Sequence, residues 1–226
     1  MMKNNNLDKV TLVDTNDQVI GEMDKYKAHE HPAKLHRAVS VWLINDQGET
    51  LLQKRSKKKI VGATWWGNTI CGNLRPTETY LECAVRRLKE EVGIIVDPKD
   101  NQKETLELIP VHKFIYKAYC NEKYGEHEID QVFIAKYNEK AIPNKDEVSE
   151  VAWVDLNNLT LQLKKNIKLN SPLRDSQKTL DMNLEQLKLQ TAPYKFEVNE
   201  KNQLLAPWSC MMLNSINFEK YQIKLI

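Results

Sequence analysis

Between Gly72 and Ile94 the chain sets Gly72, Glu78, Arg86, Arg87, Glu90, Glu91 and Gly93 at a spacing of charge to glycine that looks like a loop-helix-loop diphosphate site. Arg87 carries a planar guanidinium that can make two-pronged charged hydrogen bonds to phosphate, which suits holding a diphosphate rather than cutting it. Cys71 immediately precedes the glycine. A lone cysteine is ordinarily a small buried apolar residue, but at the lip of such a site a metal and Arg87 can tune its proton affinity for acid/base work. Two further pairs stand out. His29 and His36 flank Pro32, and Glu126 and Glu128 alternate with His127 on a strand-like stretch. Residues two apart on a strand share a face, so Glu126 and Glu128 point together and His127 points away. Two imidazoles and two carboxylates suit a divalent metal.

These side chains need a helix and several strands to carry them. Thr79 and Glu82 have the spacing of a capping box and Gly93 can close a helix in the left-handed conformation, which predicts a helix over Tyr80 to Val92. Leu81, Ala84, Val85, Leu88 and Val92 form its apolar stripe, with Arg87, Glu90 and Glu91 falling away from it. Val10 to Val13 and Val19 to Gly21 read as a hairpin. Lys25 to His36, broken by Pro32, reads mostly as loop. Ala38 to Ile44 and Thr50 to Arg55 flank the turn Asn45-Asp46-Gln47-Gly48, His112 to Tyr119 pairs with Glu126 to Tyr137, and Glu150 to Val154 is a further strand. From Leu156 to Leu204 only Leu180, Leu184 and Leu187 show helical spacing. A helix restarts near Pro207, carrying Trp208, Met211, Met212 and Ile216. Strands before and after a central helix predict an α/β fold, with a mixed sheet covered on both faces.

With Glu six residues after Gly72, then Arg86, Leu88, Glu90, Glu91, Gly93 and Ile94, the central stretch resembles the Nudix box, with one departure at Arg87, where Glu is usual. The segments Lys25 to His29, Leu35 to Ala38, Gln53 to Lys59, Trp66 to Gly72, Glu126 to Glu128 and Pro207-Trp208 make the chain similar, more narrowly, to the type 1 isopentenyl-diphosphate delta-isomerases. That resemblance implies a Nudix-type α/β/α sandwich with a helical C-terminal extension. It also implies interconversion of isopentenyl and dimethylallyl diphosphate by proton addition at C4 and removal at C2. Cys71 and Glu128 match the family's acid/base pair, Tyr116 the tyrosine that hydrogen-bonds the glutamate, and Trp208 the indole that steadies the carbocation. Lys25, Arg55, Lys59 and Arg87 match the diphosphate ligands, and Glu91 the carboxylate of a bridging Mg²⁺. The family's second metal site has three histidines and two glutamates. Here His29, His36, Glu126 and Glu128 match, and Asn73 replaces the third histidine. An amide oxygen is a weaker, harder ligand, so that site should favour Mg²⁺ or Mn²⁺ over Zn²⁺. His31 is the reserve nitrogen.

With 226 residues, 41% hydrophobic and 28% charged, the chain suits one globular domain over residues 1–226, with a core of about 8–156 and an extension, 157–226, that completes the site with Trp208. A net charge of +2 without a basic arm argues against nucleic acid as a partner, and the resemblance implies a small prenyl diphosphate instead. Four cysteines without a Cys-x-x-Cys pair indicate neither zinc knuckle nor thioredoxin motif. Residues 1–8 show no apolar leader, and no run approaches a membrane span, so a cytoplasmic monomer or homodimer is expected. An isomerase-like Nudix hydrolase and a non-catalytic prenyl-diphosphate binding protein are the alternatives.

Overall fold

The computed structural model describes residues 9–96 and 106–222, so the reading of residues 1–8 as free of a leader lies outside the described residues. In chain order the elements are β1 (Lys9–Val13), β2 (Val19–Asp24), α1 (Lys25–His29), β3 (His36–Ile44), β4 (Glu49–Arg55), β5 (Trp66–Gly67), β6 (Ile70–Asn73), α2 (Tyr80–Val92), β7 (Ile109–Tyr119) and β8 (Gly125–Lys136). Then follow β9 (Val148–Asp155), α3 (Leu156–Asn166), a 3₁₀ turn (Ser176–Thr179), α4 (Leu184–Gln190), β10 (Tyr194–Val198), β11 (Lys201–Leu205), α5 (Pro207–Ser215) and α6 (Glu219–Gln222).

β3 organises the sheet because it is buried on both faces. Val39, Val41 and Leu43 pack with Cys83, Ala84, Leu88 and Val92 of α2. Trp42 and Ile44 pack on the other face with Leu163 of α3 and Trp208, Met211 and Met212 of α5. β8 runs parallel to β3 with His36 opposite Glu128, and β7 runs antiparallel to β8 with Tyr116 opposite Glu128. β6 runs antiparallel to β3, setting Ser40 opposite Cys71 and Ala38 opposite Asn73. The mixed sheet between helical layers is the expected α/β/α sandwich. No helix among the described residues is long and apolar enough to cross a membrane.

α2 spans Tyr80–Val92 as its caps predict. Thr79 accepts from the Glu82 amide, the Glu82 side chain returns to Thr79, and Gly93 adopts φ 70°. Its buried arc, however, is turned by roughly 60° from the apolar stripe toward the charged residues. Leu81 is 51% exposed, while Arg87 and Glu91 are buried. The reason is ionic: both charged side chains find partners beneath the helix, and burial follows satisfied polarity as readily as apolarity. Lys25 to His36 is not all loop, because Asp24 caps a short helix by accepting from the Lys27 amide, and the chain turns extended at Glu30, ahead of Pro32. The extension is not purely helical. It contributes the hairpin of β10 and β11, and Leu205 joins the sheet beside Trp66 of β5.

Candidate active site and metal centre

The sheet register brings the two sequence pairs into one cluster. His29 at the end of α1, His36 at the start of β3, and Glu126 and Glu128 on β8 are all buried, and one ligand atom from each lies within 4.8 Å of the others. Both imidazoles are oriented for ligation by their own backbone. Nδ1 of His29 meets the Lys25 carbonyl at 2.7 Å and Nδ1 of His36 meets the Lys34 carbonyl at 2.7 Å. A carbonyl only accepts, so each Nδ1 carries the proton and each Nε2 turns inward. His29 Nε2 stands 3.1 Å from Glu126 Oε2, and His36 Nε2 stands 3.3 Å from Glu128 Oε1. Glu126 Oε2 is buried without a hydrogen-bond partner. An orphaned carboxylate oxygen beside inward imidazole nitrogens is a donor set that a divalent cation satisfies. Burial pushes the His29 ring down, but Glu126 more than offsets this and raises its proton affinity.

Asn73 touches this cluster from β6. Its Nδ2 donates to Glu128 Oε1 at 2.7 Å and faces His36 Nε2 at 3.1 Å. The Glu128 carboxylate only accepts, so the amide turns its nitrogen inward. A half-turn of the amide would present Oδ1 instead. His127 faces away and meets the Ala33 carbonyl at 3.2 Å, while His31 stacks on Tyr119 and meets the Asn121 carbonyl at 3.0 Å. Neither joins the cluster.

One pocket is lined by Cys71, Tyr116, Glu126, Glu128, Trp208, Asn73, His29, Lys25, Arg55, Lys59 and Arg87. His36 and Glu91 lie behind its wall, fully buried. Tyr116 donates its hydroxyl to Glu128 Oε2 at 2.6 Å. Burial pushes the Glu128 carboxyl up, yet hydrogen bonding and charge from His36, with Tyr116 and His29, hold it at about 2. The Cys71 thiol goes the other way: burial, reinforced by Asp130, pushes it up to about 12, which keeps it protonated. Its hydrogen is placed by Asn68, whose Oδ1 is 3.1 Å from Sγ. Asn68 is held in turn by the carbonyl of Ile70 and by the Ser209 hydroxyl. Trp208 follows Pro207 in the first turn of α5, with the Arg55 guanidinium 5.5 Å from its ring centroid. Its ring leaves room for no side chain at Gly62, where an added Cβ would sit 2.8 Å from it at φ 56°.

In the same pocket four cations gather near two carboxylates. Arg87 crosses directly over Gly72, where a Cβ would lie 2.5 Å from its Cγ, so the glycine is needed for space. Arg87 binds Glu91, as does Lys59 at 3.2 Å, and Gln53 fixes the other Glu91 oxygen at 2.7 Å. Burial raises the Glu91 carboxyl, but Arg87, Lys59 and Arg55 outweigh it and hold it at about 2. Arg55 donates through Nε and Nη2 to the Val61 carbonyl. Lys25 is pulled down to about 8 by burial first, then by Lys59 and Arg87. Glu90 instead faces outward to Arg75, Arg86 and Arg87, and Glu78 grips Arg86 at 2.6 and 2.8 Å, so these box residues brace the loop on the helix.

Several residues that matter here carry no signal in the sequence. Glu147 pairs with Lys59 and, at 2.9 Å, with Arg87. Ser40 donates to Asp130 at 2.7 Å and lies 3.5 Å from Cys71 Sγ. Asn68, Gln53 and Ser209 are polar residues of common types, and only the register of β3, β4 and β6 shows what they touch. A polar residue inside an apolar strand, such as Ser40 or Gln53, is the single hint available.

A family model for the NUDIX domain matches residues 34–175. Isopentenyl-diphosphate Delta-isomerase 2 of Aromatoleum aromaticum is 34% identical over 158 residues, covering 70% of this chain and 78% of that protein. Isopentenyl-diphosphate Delta-isomerase 1 of the same organism is 38% identical over 149 residues, covering 66% and 78%. Among solved structures, DR0079 from Deinococcus radiodurans superposes with a TM-score of 0.55 at 18% identity, over 76% of this chain and 99% of that one, a likeness of fold.

Proposed function

The chain belongs to the isopentenyl-diphosphate Delta-isomerases of the NUDIX domain family, and from that we propose an enzyme that interconverts isopentenyl and dimethylallyl diphosphate through a tertiary carbocation. One observation carries the site assignment: Cys71, Glu128, Tyr116 and Trp208 line the same pocket as Lys25, Arg55, Lys59 and Arg87. Acid/base and aromatic groups in one pocket with four cations suit a substrate that is reactive at an apolar end and anionic at the other.

In this reading the four cations hold the diphosphate and thereby convert proton transfer into a unimolecular step. Cys71, protonated and aimed by Asn68, and Glu128, ionised and steadied by Tyr116, exchange protons with opposite faces of the alkene. Trp208 offers its π face to the cation, worth on the order of 2 kcal/mol once desolvated. His29, His36, Glu126 and Glu128 would hold a divalent metal, with Asn73 beside them, and Glu91 would be the carboxylate that serves Mg²⁺. When bound, these ions supply fixed positive charge beside Glu128 and the phosphates. Mg²⁺ or Mn²⁺ suits the inner set better than Zn²⁺ if Asn73 turns its oxygen inward. The same proposal treats residues 1–226 as one domain, with core and extension sharing the site.

Proton NMR of isopentenyl diphosphate with protein and Mg²⁺ in D₂O tests the reaction. Deuterium enters the allylic product with the diphosphate intact, and Cys71→Ala and Glu128→Gln each lose at least ~100-fold in rate. Phosphate release would indicate a hydrolase, and binding without turnover a carrier. A variant near the wild-type rate would show that its residue is misassigned.

A further inference from the structure

Lys59 and Arg87 are each shared by two carboxylates of unlike character. Glu91 is fully buried and fixed by Gln53, so it has nowhere to go. Glu147 sits just before β9 with a side chain 32% exposed, and its Oε2 alone meets both Lys59 and Arg87. Its backbone is pinned, since its amide donates to the Asn144 carbonyl at 2.9 Å and its carbonyl accepts from Ser56 at 3.0 Å. Only the side chain is free to pivot toward solvent. The donor atoms it occupies, Nζ of Lys59 and Nη2 of Arg87, lie on two of the cations assigned above to the substrate. Diphosphate oxygens and a carboxylate cannot share those donors without strong like-charge repulsion. Glu91 offsets only one of the four charges of Lys25, Arg55, Lys59 and Arg87, which still repel one another in a largely buried space.

We infer that Glu147 is a displaceable stand-in for the diphosphate: it holds Lys59 and Arg87 in place in the free protein and swings out as substrate seats, thereby setting substrate affinity. This rests on the reading of Lys59 and Arg87 as diphosphate ligands. Glu147 is a positioning residue and takes no part in proton transfer.

Calorimetric titration with isopentyl diphosphate, the saturated and unreactive analogue, in Mg²⁺ buffer tests it. Glu147→Gln and Glu147→Ala should bind about fivefold more tightly than wild type, the scale of a partly exposed ion pair no longer competing. A residue that merely braced the clamp would weaken binding when lost. Glu91→Gln, which removes the carboxylate proposed for Mg²⁺, should bind more weakly, giving the two glutamates opposite signs. If both Glu147 variants bind equally or more weakly while Arg87→Gln loses affinity, the stand-in idea is overturned and the clamp stands. If Arg87→Gln binds as wild type does, the clamp reading falls and the inference falls with it.

Discussion

Lys25 shows how a single side chain can tie binding to pH. Burial and the neighbouring Lys59 and Arg87 lower it to about 8, so a sizeable fraction of the free protein lacks this charge at mildly alkaline pH. A bound diphosphate reverses the balance and draws a proton on. The charged form binds, so kcat/KM for isopentenyl diphosphate should be flat below pH 8 and fall above it, by up to about tenfold per unit. Lys25→Arg, whose guanidinium keeps its charge throughout, should move that fall to higher pH. An unchanged profile in the arginine variant would show that another group sets it. Cys71 and Glu128 differ from Lys25 in that their environments push them away from neutrality in opposite senses, one firmly protonated and the other firmly ionised. A pair so separated can serve as acid and base at one pH.

At the scale of elements, α2 was legible because its ends are chemically marked. A capping box and a left-handed glycine are local devices, and local rules locate them to the residue. Thr79→Ala should therefore cost about 1 kcal/mol of stability by urea titration, with little change in KM, because the cap lies far along the helix from Arg87 and Glu91. What the helix buries was less legible. An apolar stripe assumes that charge stays in water, and Arg87 and Glu91 break that assumption because their partners come from β4, the following loop and the segment before β9. Glu147 lies 60 residues from Arg87, and a pairing at that distance leaves no periodicity to read. The clustering of His29, His36, Glu126 and Glu128 was easier to expect, because each pair is close in sequence and the family resemblance joins the two. β5, β6 and the hairpin of β10 and β11 are short, and their pairing, rather than their composition, makes them strands.

For the molecule as a whole, the histidine-glutamate cluster proposed to hold a metal links elements that are remote in sequence, since α1, β3 and β8 each contribute to it. A cation bound there stabilises the folded chain alone, because the unfolded chain cannot gather the set. Mn²⁺ at a hundred times its Kd should add about 2.7 kcal/mol and raise Tm by roughly 5–10 °C, read by differential scanning calorimetry. Glu126→Gln should largely remove the rise. Acid should weaken it, since Glu126 raises the proton affinity of His29 and protons then compete with the metal. An equal rise in Tm for the Glu126 variant would place the ion elsewhere.

The hydrogen bond from Ser209 to Asn68 ties one of the last helices of the chain to the residue that aims the Cys71 hydrogen. During synthesis the ribosome therefore delivers the imidazoles, the carboxylates and all four cations well before the indole and the hydroxyl of α5. Both the indole and this tie come from α5, so in the proposed reading the segment after residue 205 is joined to the thiol through a single asparagine.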